Sequence, residues 1–113
     1  MSRVTETIEA CGIACKYNGW MPAKPPQTDY YAAVFEEVED IGGDFEVMAR
    51  RYSPTIELYD NGGSAAELKR DELSNALSAA NVKHRRYQPH YLYDQKKFLT
   101  VYDCEDYIEK WSE

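Results

Sequence analysis

The sequence predicts an α+β domain in which one mostly antiparallel sheet is packed by a short N-terminal helix and a longer central helix. Alternating apolar and polar residues indicate five strands, and helical spacing of apolar residues indicates the central helix. The order α-β-β-β-α-β-β places strands next to strands, which is typical of an α+β fold. With 113 residues, the chain has the length of one domain, residues 1–113.

The first element is predicted to be a helix over residues 2–11. Val4, Ile8 and Cys11 share one face, Ser2 is a suitable N-cap, and Gly12 a suitable stop. An irregular loop follows over residues 17–26.

That loop contains three prolines and an Asn-Gly pair, which disfavour regular structure. Trp20 and Met21 have two interpretations. They cover one end of the core, or they anchor a neighbouring subunit, because aromatic and Met side chains are enriched at interfaces.

Three strands are predicted next, near residues 29–38, 44–51 and 54–60. The first has apolar residues on both sides, which predicts that both of its faces are covered. Arg50-Arg51 is taken as the end of the second strand. Pro54 is taken as the start of the third, where a proline is tolerated.

The central helix is predicted over residues 64–81. Residues 60–63 (Asp-Asn-Gly-Gly) are strong turn formers, and Ser64 and Glu67 have capping-box spacing. Apolar residues recur at i, i+3, i+4 and i+7 from Leu73, and Asn81 is a suitable left-handed stop. We expect the leucines of this face, Leu73 and Leu77, to be buried.

The sheet is completed by strands near 83–93 and 97–107. Pro89 predicts a break or bend in the first, and residues 94–96 (Asp-Gln-Lys) predict a hairpin turn. Residues 105–113 are compatible with a strand or a helical turn.

The composition argues against several functional classes of protein. A net charge of −7 argues against a protein held on nucleic acid mainly by phosphate contacts, although a local basic patch is compatible with it. The sequence has neither an apolar run long enough for a membrane span nor the pattern of a signal peptide. We therefore expect a soluble protein made in the cytoplasm.

No catalytic or cofactor motif is recognisable. The sequence lacks Gly-rich phosphate loops, G-x-S-x-G and H-E-x-x-H. Cys11, Cys15 and Cys104 are interpreted as structural thiols, and His84 and His90 as residues of a solvated strand. The sequence is also compatible with a catalytic site of paired carboxylates. The expectation is no enzyme, no metal and no cofactor.

Charge is distributed unevenly along the chain. Residues 36–46 and 103–113 are strongly acidic, whereas 83–97 is basic. This pattern has three interpretations: an ordinary mixed surface, head-to-tail pairing of unlike surfaces in a closed ring, or a nucleic-acid contact through the basic segment. The candidate interface residues are Trp20, Met21, Glu36, Glu37, Glu39, Lys83, Arg85, Arg86, Lys96 and Lys97.

Several segments together resemble a known group of proteins. They are T-E-T-I-E-A-C-G-I, Y-N-G-W-M-P-A-K-P-P, Y-S-P-T-I-E-L-Y-D and L-Y-D-Q-K-K-F-L-T-V-Y-D. In this order the chain resembles small head–tail module proteins of long-tailed phages and prophages of Gram-positive bacteria, most of all the tail-terminator (tail-completion, minor capsid) group. The Cys11–Cys15 pair and residues 103–113 depart from the group.

The resemblance implies an α+β protomer that assembles with itself into a ring, often hexameric, at the head–tail junction of the virion. Such a ring caps the tail tube, joins it to the head connector and lets DNA pass through its lumen without specific binding. Assembly takes place in the host cytoplasm. The alternatives are a head-closure or connector protein of the same module and a small regulatory protein-binding module.

Overall fold

The computed structural model describes residues 3–17, 19, 28–42 and 47–110, without the side chains of residues 47 and 48. It confirms an α+β fold with a single sheet and two helices. The elements are α1 (Arg3–Ala10), β1 (Ala14–Tyr17), β2 (Tyr30–Gly42), β3 (Val47–Asp60), α2 (Ser64–Ala79), β4 (His84–Arg86), β5 (His90–Leu92), β6 (Lys97–Cys104) and β7 (Tyr107–Lys110).

The sheet has the order β1-β2-β3-β6-β4, with β5 also on β6 and β7 also on β3. Every pairing is antiparallel except that of β1 with β2, which is parallel. The sequence analysis missed β1 because its four residues are too short for a period of two to stand out.

The core lies between the two helices and one face of the sheet, here called the inner face. Residues such as Ala32, Ile56 and Tyr102 point into it from β2, β3 and β6, opposite helical residues that include Ile8. Leu73 and Leu77 are fully buried in this cluster, as predicted. Gly12 and Asn81, the predicted stops, have φ of 77° and 63°.

The start of α2 corrects one prediction. Gly63, not Ser64, is the N-cap, and its carbonyl accepts the N–H of Glu67 at 3.1 Å. The positive φ of Gly63 (89°) lets the chain enter the helix one residue early, so Ser64 falls within the first turn and forms no capping box. The turn itself is confirmed, since Asp60 Oδ1 accepts the N–H of Gly62 at 2.9 Å.

A buried ion pair joins this turn to α2. Arg70 Nε and one terminal nitrogen donate to the two oxygens of Asp60 at 2.8 and 2.7 Å. Asp60 is 1% exposed, and the carbonyl of Arg70 accepts the Tyr102 hydroxyl at 2.8 Å. These bonds connect β3, α2 and β6 at one point of the inner face.

The predicted second and third strands are one strand, β3, which runs through Pro54. Successive residues of a strand direct their backbone groups to opposite neighbours, so the nitrogen of Pro54 points away from β2. It points toward the side where β6 ends at Cys104 and β7 begins at Tyr107. No ladder bond is needed in that gap, so a proline without an N–H is tolerated inside the strand.

The C-terminal half confirms some boundaries and corrects others. The predicted break near Pro89 separates β4 from β5, and a turn follows at residues 93–96. The last predicted strand, 97–107, ends at Cys104, and Tyr107–Lys110 forms β7, which moves to β3. This answers part of the open question on residues 105–113: Tyr107–Lys110 form a strand, and residues 105 and 106 connect it to β6.

Candidate subunit interface

The basic residues predicted between 83 and 97 form two separate groups. β4 and β5 both pair with the same edge of β6, but at its opposite ends: Arg86 is paired with Tyr102, and Leu92 with Lys97. Lys83, Arg85 and Arg86 therefore lie at one end of that edge. Lys96 and Lys97 lie at the other.

Within each group the contacts differ. Arg86 donates to Asp71 Oδ1 on α2 at 2.8 Å. Lys97 Nζ donates to Asn61 Oδ1 at 2.7 Å and to a backbone carbonyl at residue 28 at 3.1 Å. In the described part of the chain, Lys83, Arg85 and Lys96 are exposed and form no ion pair.

The acidic candidates lie on an extension of the sheet. β1 covers β2 only as far as Val34, and β6 covers β3 only from Thr55 onward. At and beyond these points, residues 35–42 of β2 pair with residues 47–55 of β3 to form what we call the arm. Glu36, Glu37 and Glu39 all belong to it.

Cross-strand ion pairs neutralise part of the arm. Arg51 contacts Glu39 at 3.0 Å, and Arg50 contacts Asp40 at 2.9 Å. The sequence analysis treated residues 36–46 as a purely acidic block and missed these partners. A turn centred on Gly42-Gly43 would place residue 45 opposite residue 40, whereas the observed register places Arg50 opposite Asp40 and Arg51 opposite Glu39.

Glu36 and Glu37 lie on opposite faces of the arm. Glu36 is half-buried on the inner face, where an oxygen accepts the Tyr107 hydroxyl at 3.4 Å. Glu37 is exposed on the outer face, at the rim of a shallow depression of about 450 Å³ that Asp103 and Asp106 also line. Within the described ranges, no three His, Cys, Asp or Glu side chains are placed to hold a metal ion.

Two exposed aromatic residues accompany these charges, and the sequence analysis did not select them. Phe35 is 41% exposed at the start of the arm, and Tyr87 is 45% exposed directly after β4. The alternation of the strand predicts that Phe35 and Val34 point to opposite faces, but it does not reveal that both described helices pack on the face of Val34. Trp20 and Met21 lie outside the described residues.

The sheet thus has two unlike edges. The arm lies at the edge of β2 and is acidic, and the edge of β4 on the opposite side of the sheet is basic. No known protein-family model matches the chain, and no curated protein is significantly similar to it. Neither described helix is long and apolar enough to cross a membrane.

One contact has the form of a nucleophile and its base. Ser74 Oγ lies 2.6 Å from His84 Nε2, and His84 Nδ1 lies 3.1 Å from the carbonyl of Val82. However, Ser74 lies in the middle of α2, where backbone N–H groups are used within the helix and cannot stabilise an oxyanion. The geometry suits a structural bond that holds β4 beneath α2.

The thiols are poor nucleophiles at neutral pH. Burial raises the pKa of Cys15 and of Cys104 to about 12, with Glu9 and Asp103 respectively adding to the rise. Cys11 is buried and its pKa is also raised, first by burial. These positions agree with the interpretation of all three as structural thiols.

Proposed function

We propose that this protein is a structural component of a phage particle, a tail terminator whose copies form a ring that caps the tail tube and joins it to the head connector. The observation that carries the proposal is that the arm on the β2 side of the sheet is acidic, whereas the β4 edge on the other side is basic. A closed ring needs a head-to-tail contact between two different surfaces of the same chain. An acidic edge and a basic edge on one sheet supply two such surfaces.

Self-complementary pairing is disfavoured by the same charges. A two-fold contact through the arm would bring Glu37 toward its own copy, and a two-fold contact through β4 would bring Arg85 toward its own copy. Like charges in contact are repulsive, whereas head-to-tail contact places Arg85 near acidic residues. The net charge of −7 also suits a lumen through which DNA slides without binding.

The experiment is a measurement of mass by light scattering, at low and at about 1 M salt, alone and with the tail-tube protein of the same phage. The expected result is a ring of fixed mass that binds tube ends and weakens at high salt, because 1 M salt shortens the Debye length to roughly 3 Å. A strict monomer, even beside its tail tube, contradicts the proposal. A ring that binds head-connector protein but not the tube supports the head-closure alternative.

The proposal includes no chemical step. Ser74 and His84 offer the sharpest test of that part, since they are the closest approach to a catalytic pair in the described residues. We expect purified protein to hydrolyse no activated ester above the background of a Ser74→Ala variant. Reproducible turnover that this substitution abolishes would make the protein an enzyme.

A further inference from the structure

Three side chains of complementary chemistry meet at one end of the sheet. Asp29 directly precedes β2, Asn61 directly follows β3, and Lys97 is the first residue of β6. The three strands are neighbours in the order β2-β3-β6, so these residues lie side by side. The backbone holds the first two together, since the N–H of Asn61 donates to the carbonyl of Asp29 at 3.2 Å.

The side-chain amide of Asn61 contacts both of its neighbours. Its Oδ1 accepts a hydrogen bond from Lys97 Nζ at 2.7 Å, and its Nδ2 donates to Asp29 Oδ1 at 3.3 Å. Both partners require this orientation of the amide, because a lysine ammonium only donates and an ionised carboxylate only accepts. Lys97 Nζ also donates to the carbonyl of Thr28 at 3.1 Å and lies 5.7 Å from the centre of the Tyr31 ring. These contacts hold the amine against the amide.

An amine and a carboxamide in contact can condense. The lone pair of the neutral amine attacks the amide carbon, the bond from that carbon to the NH₂ group breaks, and ammonia leaves. One amide replaces another, so the step needs no oxidant or reductant. Since Nζ lies 2.7 Å from Oδ1 and a C=O bond is about 1.23 Å long, Nζ lies within about 3.9 Å of Asn61 Cγ. That is little more than the separation of about 3–3.5 Å from which reacting atoms attack.

Asp29 is placed to transfer the proton that this step requires. The attacking nitrogen loses a proton and the departing nitrogen gains one. The carboxylate of Asp29 already contacts the departing Nδ2, and the site is exposed to water. It can therefore take the proton from Lys97 Nζ, directly or through one water molecule, and deliver it to Nδ2 as ammonia forms.

A competing reaction is restrained by the same turn. Asn61 precedes a glycine, and the backbone nitrogen of Gly62 could attack the same Cγ to form a cyclic imide, again with loss of ammonia. The N–H of Gly62 instead donates to Asp60 Oδ1 at 2.9 Å, and Asp60 is held by Arg70. Because this hydrogen bond holds the glycine nitrogen toward Asp60, the geometry favours attack by Lys97.

We propose that Lys97 and Asn61 form an intramolecular amide cross-link between β6 and the end of β3, with Asp29 transferring the proton. The inference goes beyond the proposed function and does not rest on the ring, so its failure would leave that function untouched. An amine attacks only in its neutral form, which is a small fraction of a lysine in contact with water at pH 7. We therefore expect slow formation at pH 7 that becomes about tenfold faster for each pH unit up to 9.

The intact mass of the purified chain tests the proposal. Samples of folded protein are kept at pH 7, 8 and 9, then denatured and weighed by mass spectrometry over several days. Cross-linking lowers the mass by about 17 Da, the mass of the ammonia that leaves. Digestion with trypsin should then release a branched peptide that joins Lys97 to Asn61. A chain that keeps its full mass throughout at pH 9 overturns the proposal.

Substitutions separate the cross-link from the cyclic imide. Lys97→Arg keeps the positive charge but removes the nucleophile, so this variant should keep its full mass. Lys96→Arg makes the same change at the neighbouring residue and should lose ammonia at the unaltered rate. The same loss of mass in Lys97→Arg would show that the nitrogen of Gly62 attacks Asn61, and it would overturn the proposal.

The part assigned to Asp29 has its own test. Asp29→Ala should slow the loss of ammonia at least about tenfold at a given pH, while the circular dichroism spectrum of the folded chain stays the same. Cross-linking at the unaltered rate would overturn the assignment of Asp29. As a second readout, the cross-linked chain should unfold at a higher urea concentration than Lys97→Arg, because the bond closes a loop over residues 61–97 in the unfolded chain. Equal midpoints would contradict a link between these two residues.

Discussion

Replacing Asp60 by Asn is expected to destabilise the folded protein by about 3–5 kcal/mol, the usual cost of removing one partner of a buried ion pair. The carboxylate accepts three hydrogen bonds, two from Arg70 and one from Gly62 N, at 2.7–2.9 Å. An amide has one acceptor oxygen, so its NH₂ group must face a donor. The Arg70 side chain, 11% exposed, would keep a charge that water cannot solvate well.

The assay is urea unfolding followed by far-UV circular dichroism, at a protein concentration where the chain is monomeric. With a slope of about 2 kcal/mol/M, the loss lowers the midpoint by roughly 1.5–2.5 M. Asp71→Asn is the matched control, because Asp71 pairs with Arg86 at 2.8 Å at the surface, and it should cost about 0–1 kcal/mol. Equal effects from the two substitutions would refute the reasoning.

Three further predictions concern the core, the turn and the thiols. Leu77→Ala should cost about 2–5 kcal/mol in urea unfolding, because the side chain is fully buried between α2 and the sheet. Gly62→Ala should lower the melting temperature, because Gly62 has φ of 82° and a Cβ there would lie 2.5 Å from the ring of Phe98. The free energy of unfolding should fall as pH rises from 9 toward 12, because burial holds the pKa of Cys15 and Cys104 near 12 in the folded chain, against about 9 when unfolded.

Each of these has a clear contrary result. A loss below about 0.5 kcal/mol for Leu77→Ala would mean that α2 packs elsewhere. An unchanged melting temperature for Gly62→Ala, measured beside Ala65→Gly as an exposed helical control, would contradict the close approach of Phe98. The folded thiols bind protons that the unfolded thiols release above pH 9, so a free energy of unfolding that is equal at pH 8 and pH 10.5 would contradict their burial.

The fold class and most elements were predictable because they depend on local signals. Helical spacing from Leu73 located α2, and the Asn-Gly-Gly run at residues 61–63 located the turn before it. Ser64 was assigned as the N-cap because its spacing to Glu67 fits a capping box. The spacing does not reveal that Gly63 adopts a positive φ and becomes the N-cap instead.

The other errors discussed here share a physical cause, since they concern what lies beside a strand. Pro54 was interpreted as a strand start because a proline usually interrupts a ladder, and the gap between β6 and β7 that accommodates it is a tertiary feature. The candidate interface shows the same limit. The charges of Arg85 and Glu37 are visible in the sequence, but only the sheet order reveals that their strands lie toward opposite sides of the sheet.

The order in which β3 acquires its neighbours has a consequence for synthesis. Its pairing with β2 is a hairpin of nearby residues, whereas β6 and β7 leave the ribosome much later. Contacts close in sequence form sooner than distant ones, so the hairpin can fold while the other side of β3 is still uncovered. A nascent chain stalled at this stage has the acidic residues of the arm but lacks β4, so it has only one of the two unlike surfaces that the proposed head-to-tail contact requires. If copies form the proposed ring, such an incomplete chain would stop its growth, and ring closure would require full-length synthesis.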